Sequence, residues 1–416
     1  MSLFEDFLST SEMRDVFGDR SVVGAMLCFE AALARAQAAE GLIPESAAHS
    51  IAGSCKVELF DVAKIVRDSA RAGSVAIPLV EGLRESVALF NAEAAPFVHF
   101  GSTSQDVVDS AMALVTREAL VLIDADLARA AEALLAHAQA HAATPILART
   151  LMQPASVTSF GLTCAGWAAP LVRARERLRE AARRALQLQL GGAVGTLAQM
   201  QGRGAAVRAR MARELGLGDP GAAWHTQRDE WVALGCALGV LAGSLGKIAQ
   251  DIALLGQPEF GELAEPAEPG RGRSSAMPHK HNPVAAMAAL AAAQRTPHRV
   301  AALLAAMLQA HERALGHWQA ELAEWPALCL SVHGSVRALA TALPGLQVDV
   351  QRMRANIDRQ RAQMPRDIAQ AWFDPALAVP AGELAAAQVQ ALRARLCASA
   401  PGSDKDPPAG TVSARP

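Results

Sequence analysis

The sequence is constrained most by residues 104–142, a run of nearly forty residues without glycine or proline and with apolar side chains at helical spacing. At 1.5 Å per residue, this run predicts a helical rod roughly 60 Å long, which is unusual in a compact domain. Residues 156–190, 226–257 and 282–315 are also predicted to form long helices, interrupted only by isolated Gly or Pro. Helices of this length bury their apolar stripes by lying side by side, so we expect an elongated bundle.

Shorter helices are predicted around this bundle. Residues 21–40 form one that Gly41 and Pro44 end, and the helices that follow are broken at Gly73 and Pro78. Small residues crowd 235–246 and 285–294, which favours close helix contacts, including contacts between subunits. A monomeric bundle that is rich in Ala through genomic bias remains the alternative. The Pro/Gly/Ser-rich residues 399–416 are predicted to be disordered.

Composition excludes several classes of protein. The 416 residues are 51% hydrophobic but only 4% aromatic, and the excess of Ala and Leu predicts an all-α fold. Lys and Arg number 39 against 41 Asp and Glu, so the net charge of −2 gives no support for a nucleic-acid partner. Six cysteines without a CxxC pair argue against a zinc ribbon or a disulfide scaffold and predict a cytoplasmic protein.

A membrane partner is also not expected. The N-terminus lacks the basic-then-apolar order of a signal peptide. The longest uncharged run, 150–172, is long enough to cross a bilayer but contains several polar side chains and two prolines. We therefore predict that it forms a buried helix of a soluble bundle.

Three polar, glycine-containing segments interrupt the predicted helices. In the first, 99–106, Ser102 or Thr103 is expected to cap the long helix with Asp106 as the capping-box partner, and the same helix N-terminus can bind a carboxylate. The second, 149–161, places Gln153 just ahead of a new helix, although a lone Gln is more often a surface or capping residue. Residues 191–195 (GGAVG) match no phosphate-binding loop and are predicted to be a turn between long helices.

The third segment, 270–283 (GRGRSSAMPHKHNP), is the least ordinary stretch of the chain. It concentrates five basic or histidine side chains around two serines, which is typical either of a solvated basic loop or of a site for a polyanion. A serine alkoxide there can be stabilised by Lys280 and by backbone N–H groups, so that the serine exchanges a proton with carbon. No GxSxG elbow, Walker loop or HExxH spacing offers another chemistry.

Residues 274–283 (SSAMPHKHNP) match the SSxMPxKxNP signature of the fumarase/aspartase superfamily, and the other two segments resemble its remaining active-site regions. Within it, FEAALARAQAAEGLIP, LGGAVGTL and WHTQRD most resemble the bacterial carboxymuconate cycloisomerase branch, over about residues 15–354. The resemblance implies an all-α, fumarase-like homotetramer in which each site is shared between three subunits. It implies a small polycarboxylate substrate and no metal or cofactor.

The resemblance also implies roles for individual residues. Ser274 would be the proton-transferring serine on a mobile loop, and Lys280 and Asn282 would bind a carboxylate and stabilise an enediolate-like intermediate. The further substrate-binding residues that it implies are His99, Thr103, Ser104, Gln153, Ser275, Met277 and Arg313.

Four departures from the superfamily's pattern bear on activity. Leu151 stands where its lyases carry a catalytic His, and Leu322 stands where adenylosuccinate lyases carry Arg. Both favour the cycloisomerase branch. Arg273 replaces the Gly that usually precedes the catalytic serine, which narrows the backbone options of the loop. After Arg354 the C-terminal helical domain is shortened, which bears on activity because this domain normally packs beside the site.

The resemblance implies a cycloisomerase that lactonises 3-carboxy-cis,cis-muconate to 4-carboxymuconolactone in protocatechuate degradation. The alternatives are a C–N or C–O lyase that releases fumarate from an adenylosuccinate- or nitrosuccinate-type substrate, and a non-catalytic helical scaffold. We expect an N-terminal helical domain (1–98), a central long-helix bundle (99–345), a shortened C-terminal domain (346–398) and a disordered tail (399–416).

Overall fold

Helices dominate the protein, which we describe from a computed structural model over residues 3–398. The α-helices of this range are α1 (Leu3–Asp6), α2 (Ser11–Val16), α3 (Asp19–Ala39), α4 (Glu45–Ser54), α5 (Val62–Ala72), α6 (Ala76–Phe90), α7 (Ser104–Ala140), α8 (Phe160–Ala185), α9 (Gly204–Leu215), α10 (Asp229–Leu255), α11 (Val284–Ala306), α12 (His317–Ala342), α13 (Val350–Ala362), α14 (Arg366–Trp372) and α15 (Ala378–Ala398). Two antiparallel strand pairs accompany them, β1 (Pro145–Thr150) with β2 (Gln153–Ser159) and β3 (Leu263–Ala264) with β4 (Gln347–Val348). The all-α prediction is confirmed, and the predicted disordered tail lies outside the described residues.

Five long helices, α7, α8, α10, α11 and α12, pack side by side as the bundle. The 37 residues of α7 confirm the predicted rod, about 55 Å long. Glycines let α10 approach α11 closely: a Cβ on Gly246 would lie 2.4 Å from the Cβ of Ala293. Helix α12 contains Pro326 and was not among the predicted long helices.

Several predicted helix boundaries are wrong, among them the end of α8, which lies at Ala185 rather than at 190. Helix α8 begins at Phe160 rather than 156, because the preceding residues pair with β1 as a hairpin. The run 150–172 is therefore a hairpin strand followed by a helix, not one buried helix. Helix α11 ends at Ala306 rather than 315, and the segment beyond it has left-handed backbone at His311. Pro78 lies in the first turn of α6 instead of breaking a helix, as Pro tolerates that position.

The connections between helices define two ends of the bundle. At the end that carries Thr103, which we call the cap end, Arg228 before α10 binds Asp109 in the second turn of α7. At the opposite end, the hairpin end, Arg149 of β1 binds Glu262 beyond α10. Helices α7 and α10 thus both run from the cap end to the hairpin end, and α11 returns to the cap end.

The C-terminal helices pack against the β1–β2 hairpin. Leu147 and Val157 of the hairpin share a small apolar cluster with Ile357, Phe373 and Ala378, separate from the main core. By length and composition, α3 and α10 are long and apolar enough to span a membrane, but 61% of the most apolar window of each is buried within the protein. Their apolarity is explained by the core that they form.

Candidate active site

The cap end brings together three of the predicted substrate-binding residues. Thr103 caps α7 in a capping box with Asp106, as predicted. The guanidinium of Arg313, on the segment between α11 and α12, donates hydrogen bonds to Thr103 Oγ1 at 2.5 Å and to Ser104 Oγ at 3.2 Å. A cation and two hydroxyls at a helix N-terminus form a site suited to a carboxylate.

Asp106 anchors this cap from within the core, through contacts that the sequence did not predict. Its fully buried carboxylate accepts hydrogen bonds from the amides of Gly191 and Gly192, both at 2.9 Å, and from the His225 ring at 2.7 Å. A Cβ on Gly191 would lie 2.5 Å from the Cβ of Ala223, so a glycine is required there. The first two residues of 191–195 therefore hold the cap in place through Asp106. The predicted turn between two long helices is not found here, because the helix that follows, α9, has only 12 residues.

A second buried cluster supports the first turns of α7. Arg228 pairs with Asp109 at 2.7 Å and with Glu321, and its guanidinium stacks over Trp224 at 4.4 Å. Burial opposes the charge of Arg228, but Asp109 and Glu321 raise its pKa above the usual value. Burial raises the pKa of Glu321, against the attraction of Arg228. The cluster holds α7, α10 and α12 in one arrangement at the cap end.

We expect Arg228→Ala to lower the free energy of unfolding by about 3–5 kcal/mol, because it leaves Asp109 and Glu321 buried without their cation. Chemical denaturation followed by circular dichroism measures the change. The control, Arg183→Ala, breaks an exposed pair with Glu180 and should change stability little. Equal effects of the two variants would contradict a structural role for the buried cluster.

His99 lies beside the cap but turns towards the N-terminal helices. Its Nδ1 is 2.6 Å from the buried Glu30 Oε1, and its backbone is left-handed. Burial alone would lower the pKa of His99, but the attraction of Glu30 outweighs burial and raises the pKa above its usual value. His99 is thus held near the predicted site by an ion pair, and no hydrogen bond joins it to Thr103 within residues 3–398.

A titration of His99 by NMR is expected to give a midpoint above the usual histidine pKa of about 6.5. In Glu30→Gln the midpoint should fall, because burial, which lowers the pKa, then acts without the attraction of Glu30 that opposes it. Because the folded-state pKa is raised, the pair stabilises the fold below the unfolded pKa, and this contribution is lost as pH rises through the folded pKa. An unchanged midpoint in Glu30→Gln would contradict the assigned cause.

The loop that carries Ser274 lies at the hairpin end. Its base is closed by the pairing of Arg273 with His281 and by the hydrogen bond from Asn282 N to Gly272 O at 2.7 Å. Ser274 Oγ accepts hydrogen bonds from the amides of Ala276 and Met277, at 3.3 and 3.0 Å. Two N–H groups aimed at one hydroxyl oxygen stabilise negative charge on it, as proton transfer requires.

The other residues of this loop are accessible. Ser275, Met277 and Lys280 are exposed, and Asn282 is partly buried at the base. Behind the loop, the carboxylate of Glu265 accepts hydrogen bonds from the amides of Ala285 and Ala286, which caps α11. The loop therefore projects from a fixed helix start. Within residues 3–398, no three His, Cys, Asp or Glu side chains cluster as metal ligands.

Gln153 does not lie where it was predicted. It is exposed in β2 beside the hairpin turn, seven residues before the first residue of α8, rather than just ahead of a helix. Leu151 and Met152 form the turn, both with left-handed backbone, and Leu151 is 97% exposed. The strand forms because β1 pairs with it and because the C-terminal cluster packs on its buried face.

One subunit does not bring all the predicted site residues together. Thr103, Ser104 and Arg313 lie at the cap end, whereas Gln153 and Ser274 lie at the hairpin end. Helix α10 alone, with 27 residues, separates these ends by about 40 Å. If these residues act on one substrate, different subunits must supply them.

Comparisons with known proteins identify the fold family. The family model described as lyase matches residues 7–297, well over half of the chain. The chain belongs to this lyase family. The predicted membership of the fumarase/aspartase superfamily is thereby confirmed.

Bacterial members of this lyase family align with most of the chain. The 3-carboxy-cis,cis-muconate cycloisomerase of Pseudomonas aeruginosa is 48% identical over 355 residues, which cover 85% of this chain and 77% of the relative. The nitrosuccinate lyase of Streptomyces davaonensis is 43% identical over 351 residues, covering 82% and 73%. The crystal structure of the 3-carboxy-cis,cis-muconate lactonizing enzyme from Pseudomonas putida superposes with a TM-score of 0.86 at 36% identity, covering 94% of this chain and 99% of that one.

Proposed function

We propose that the protein is a cycloisomerase that converts 3-carboxy-cis,cis-muconate to 4-carboxymuconolactone in protocatechuate breakdown. The observation that carries the proposal is Ser274, whose hydroxyl oxygen receives two backbone N–H groups on a loop rich in positive charge. The identity with the P. aeruginosa cycloisomerase supports the substrate.

The reaction is an internal addition. One carboxylate of the substrate adds to the conjugated double bond, the electrons move onto a second carboxylate, and the carbon between gains a proton. Ser274 delivers that proton, and Lys280 and Asn282 stabilise the enediolate. Read backwards, this is proton abstraction next to a carboxylate followed by elimination. Positioning and electrostatic stabilisation supply the acceleration without a metal or cofactor.

The cap end holds another carboxylate of the substrate. Because Arg313 donates to the oxygens of Thr103 and Ser104, their hydroxyl hydrogens are directed away from it and are free to donate to a carboxylate. The capping box and Asp106 keep this N-terminus fixed, so little ordering is needed when the substrate binds. Gln153, Ser275 and Met277 complete the binding set from the hairpin end.

The separation of the two ends supports an oligomer whose sites are shared between subunits, and we expect this oligomer to be a cytoplasmic homotetramer. The outer faces of α10 and α11 expose uncharged residues, among them Val240, Gly243, Met287 and Leu304. Such faces suit close helix packing against other subunits. The division of each subunit at residues 98/99 and 345/346, and the shortening of its C-terminal domain, stay predictions.

The direct test is the ultraviolet absorbance of the conjugated muconate, which should fall when purified enzyme is added, because lactonisation removes one double bond from conjugation. Mass spectrometry should find a product of unchanged mass. Persistence of the absorbance would contradict the proposal.

A second candidate is a lyase that acts on a nitrosuccinate-type substrate, which the 43% identity to the S. davaonensis enzyme favours. Leu151, where lyases of the superfamily carry the catalytic His, weighs against it. Release of fumarate from nitrosuccinate, without loss of muconate absorbance, would favour this candidate. If the protein shows no turnover and binds no carboxylate, a non-catalytic scaffold is favoured instead.

A further inference from the structure

A cleft of about 760 Å³ opens between the base of the Ser274 loop and the surfaces of α10 and α11. Its walls include Ala253, Met287, Leu290 and Ala291, and Arg273 is the one charged side chain among the described residues that line it. An anion that enters this cleft therefore meets the guanidinium of Arg273.

Arg273 is exposed and makes no ion pair within residues 3–398. Arg271, two residues earlier, differs in this respect: its guanidinium lies 3.4 Å from Glu268 and 3.7 Å from Glu265. The loop thus has one arginine that is neutralised and one that is free to bind a ligand. An unpaired guanidinium matches a carboxylate with two parallel hydrogen bonds.

The base of the loop connects Arg273 to the proposed site. The backbones of Arg273 and His281 form an antiparallel bridge across the base, and Asn282, beside His281, lines the same cleft. The substrate has three carboxylates. The cap end accounts for one and Lys280 with Asn282 for a second, which leaves the third without a cation.

We propose that Arg273 is a specificity-determining residue that binds this third carboxylate and selects a tricarboxylate over the dicarboxylate that lacks it. The inference rests on the proposed function, because it takes the substrate to be a trianionic muconate. Arg273 does not move the proton. It fixes the substrate chain against the loop that carries Ser274.

Calorimetric titration of the intact protein with two saturated acids tests the proposal without turnover. Butane-1,2,4-tricarboxylate carries the three carboxylates, and adipate lacks the branch carboxylate. We expect Arg273→Gln to weaken binding of the tricarboxylate about 10- to 100-fold and that of adipate less than about threefold. Arg273→Lys should restore part of the tricarboxylate affinity, because it keeps the charge but loses the second hydrogen bond.

Arg271→Gln is the matched control, since it removes the same charge from the same loop but from an arginine that already has partners. It should leave the ratio of the two dissociation constants unchanged. Equal weakening of both acids by Arg273→Gln, no weakening of either, or no binding of the tricarboxylate by the wild type would each overturn the proposal. If the wild type binds and discriminates the acids but does not consume the muconate, the proposed function fails while the role of Arg273 in carboxylate selection stands.

Discussion

Ser274→Ala is expected to lower kcat for the muconate about 10²- to 10⁴-fold, the range that a positioned proton donor contributes. The two N–H groups that now stabilise charge on Ser274 Oγ would have no oxygen to act on. Because the hydroxyl is near the surface of a loop and bonds only to that loop, its loss should leave the fold and the assembly unchanged. Steady-state absorbance assays measure the effect, and light scattering checks the assembly.

Ser69→Ala serves as the control for this experiment. Ser69 lies in α5, and its hydroxyl donates only to the carbonyl of Val66 one turn earlier. Its removal should leave kcat as in the wild type. Turnover of Ser274→Ala at the wild-type rate would refute the assignment of the proton-transferring group.

Mixed oligomers should recover activity that neither parent has. Ser274→Ala damages the hairpin end of a site, and Arg313→Ala damages the cap end, where it removes the hydrogen bonds to Thr103 and Ser104. Since α7 and α10 keep these ends apart within one subunit, a shared site takes them from different subunits. After dissociation and random reassembly of equal amounts, about one site in four should have both ends intact. Activity measured before and after mixing tests this.

The control for mixing is a pair of variants at one end. Ser274 and Lys280 belong to the same loop, so each site takes both residues from a single subunit. Mixtures of Ser274→Ala with Lys280→Ala should therefore stay inactive. Recovery in this control, or no recovery with the Arg313→Ala pair, would contradict sites that are shared between subunits.

Features that depend on neighbouring residues were predictable from the sequence. The 3.6-residue period and the absence of Gly and Pro specify α7, and Thr103 and Asp106 specify its cap three residues apart. The hairpin was not predictable in this way. Its strand β2 is stabilised by pairing with β1 and by packing on residues such as Phe373, more than 200 positions later.

The support beneath the cap was hidden for the same reason. Asp106 binds Gly191 and His225, which lie 85 and 119 positions along the chain. The sequence signals for these two residues were a cluster of glycines and the WHTQRD motif, and neither motif indicates which residues it contacts. The sequence also did not predict that the site residues occupy opposite ends of the subunit, because the order of residues along the chain does not specify their distances in space.

The length of α7 limits how relatives of this protein can diverge. One extra helical turn would lengthen the rod by about 5.4 Å and displace the hairpin from the cap, unless α8, α10, α11 and α12 lengthened with it. Five coordinated insertions are far rarer than one. Sequences of this architecture are therefore free to drift by substitution within the bundle, whereas changes in chain length are confined to its connections and flanking helices.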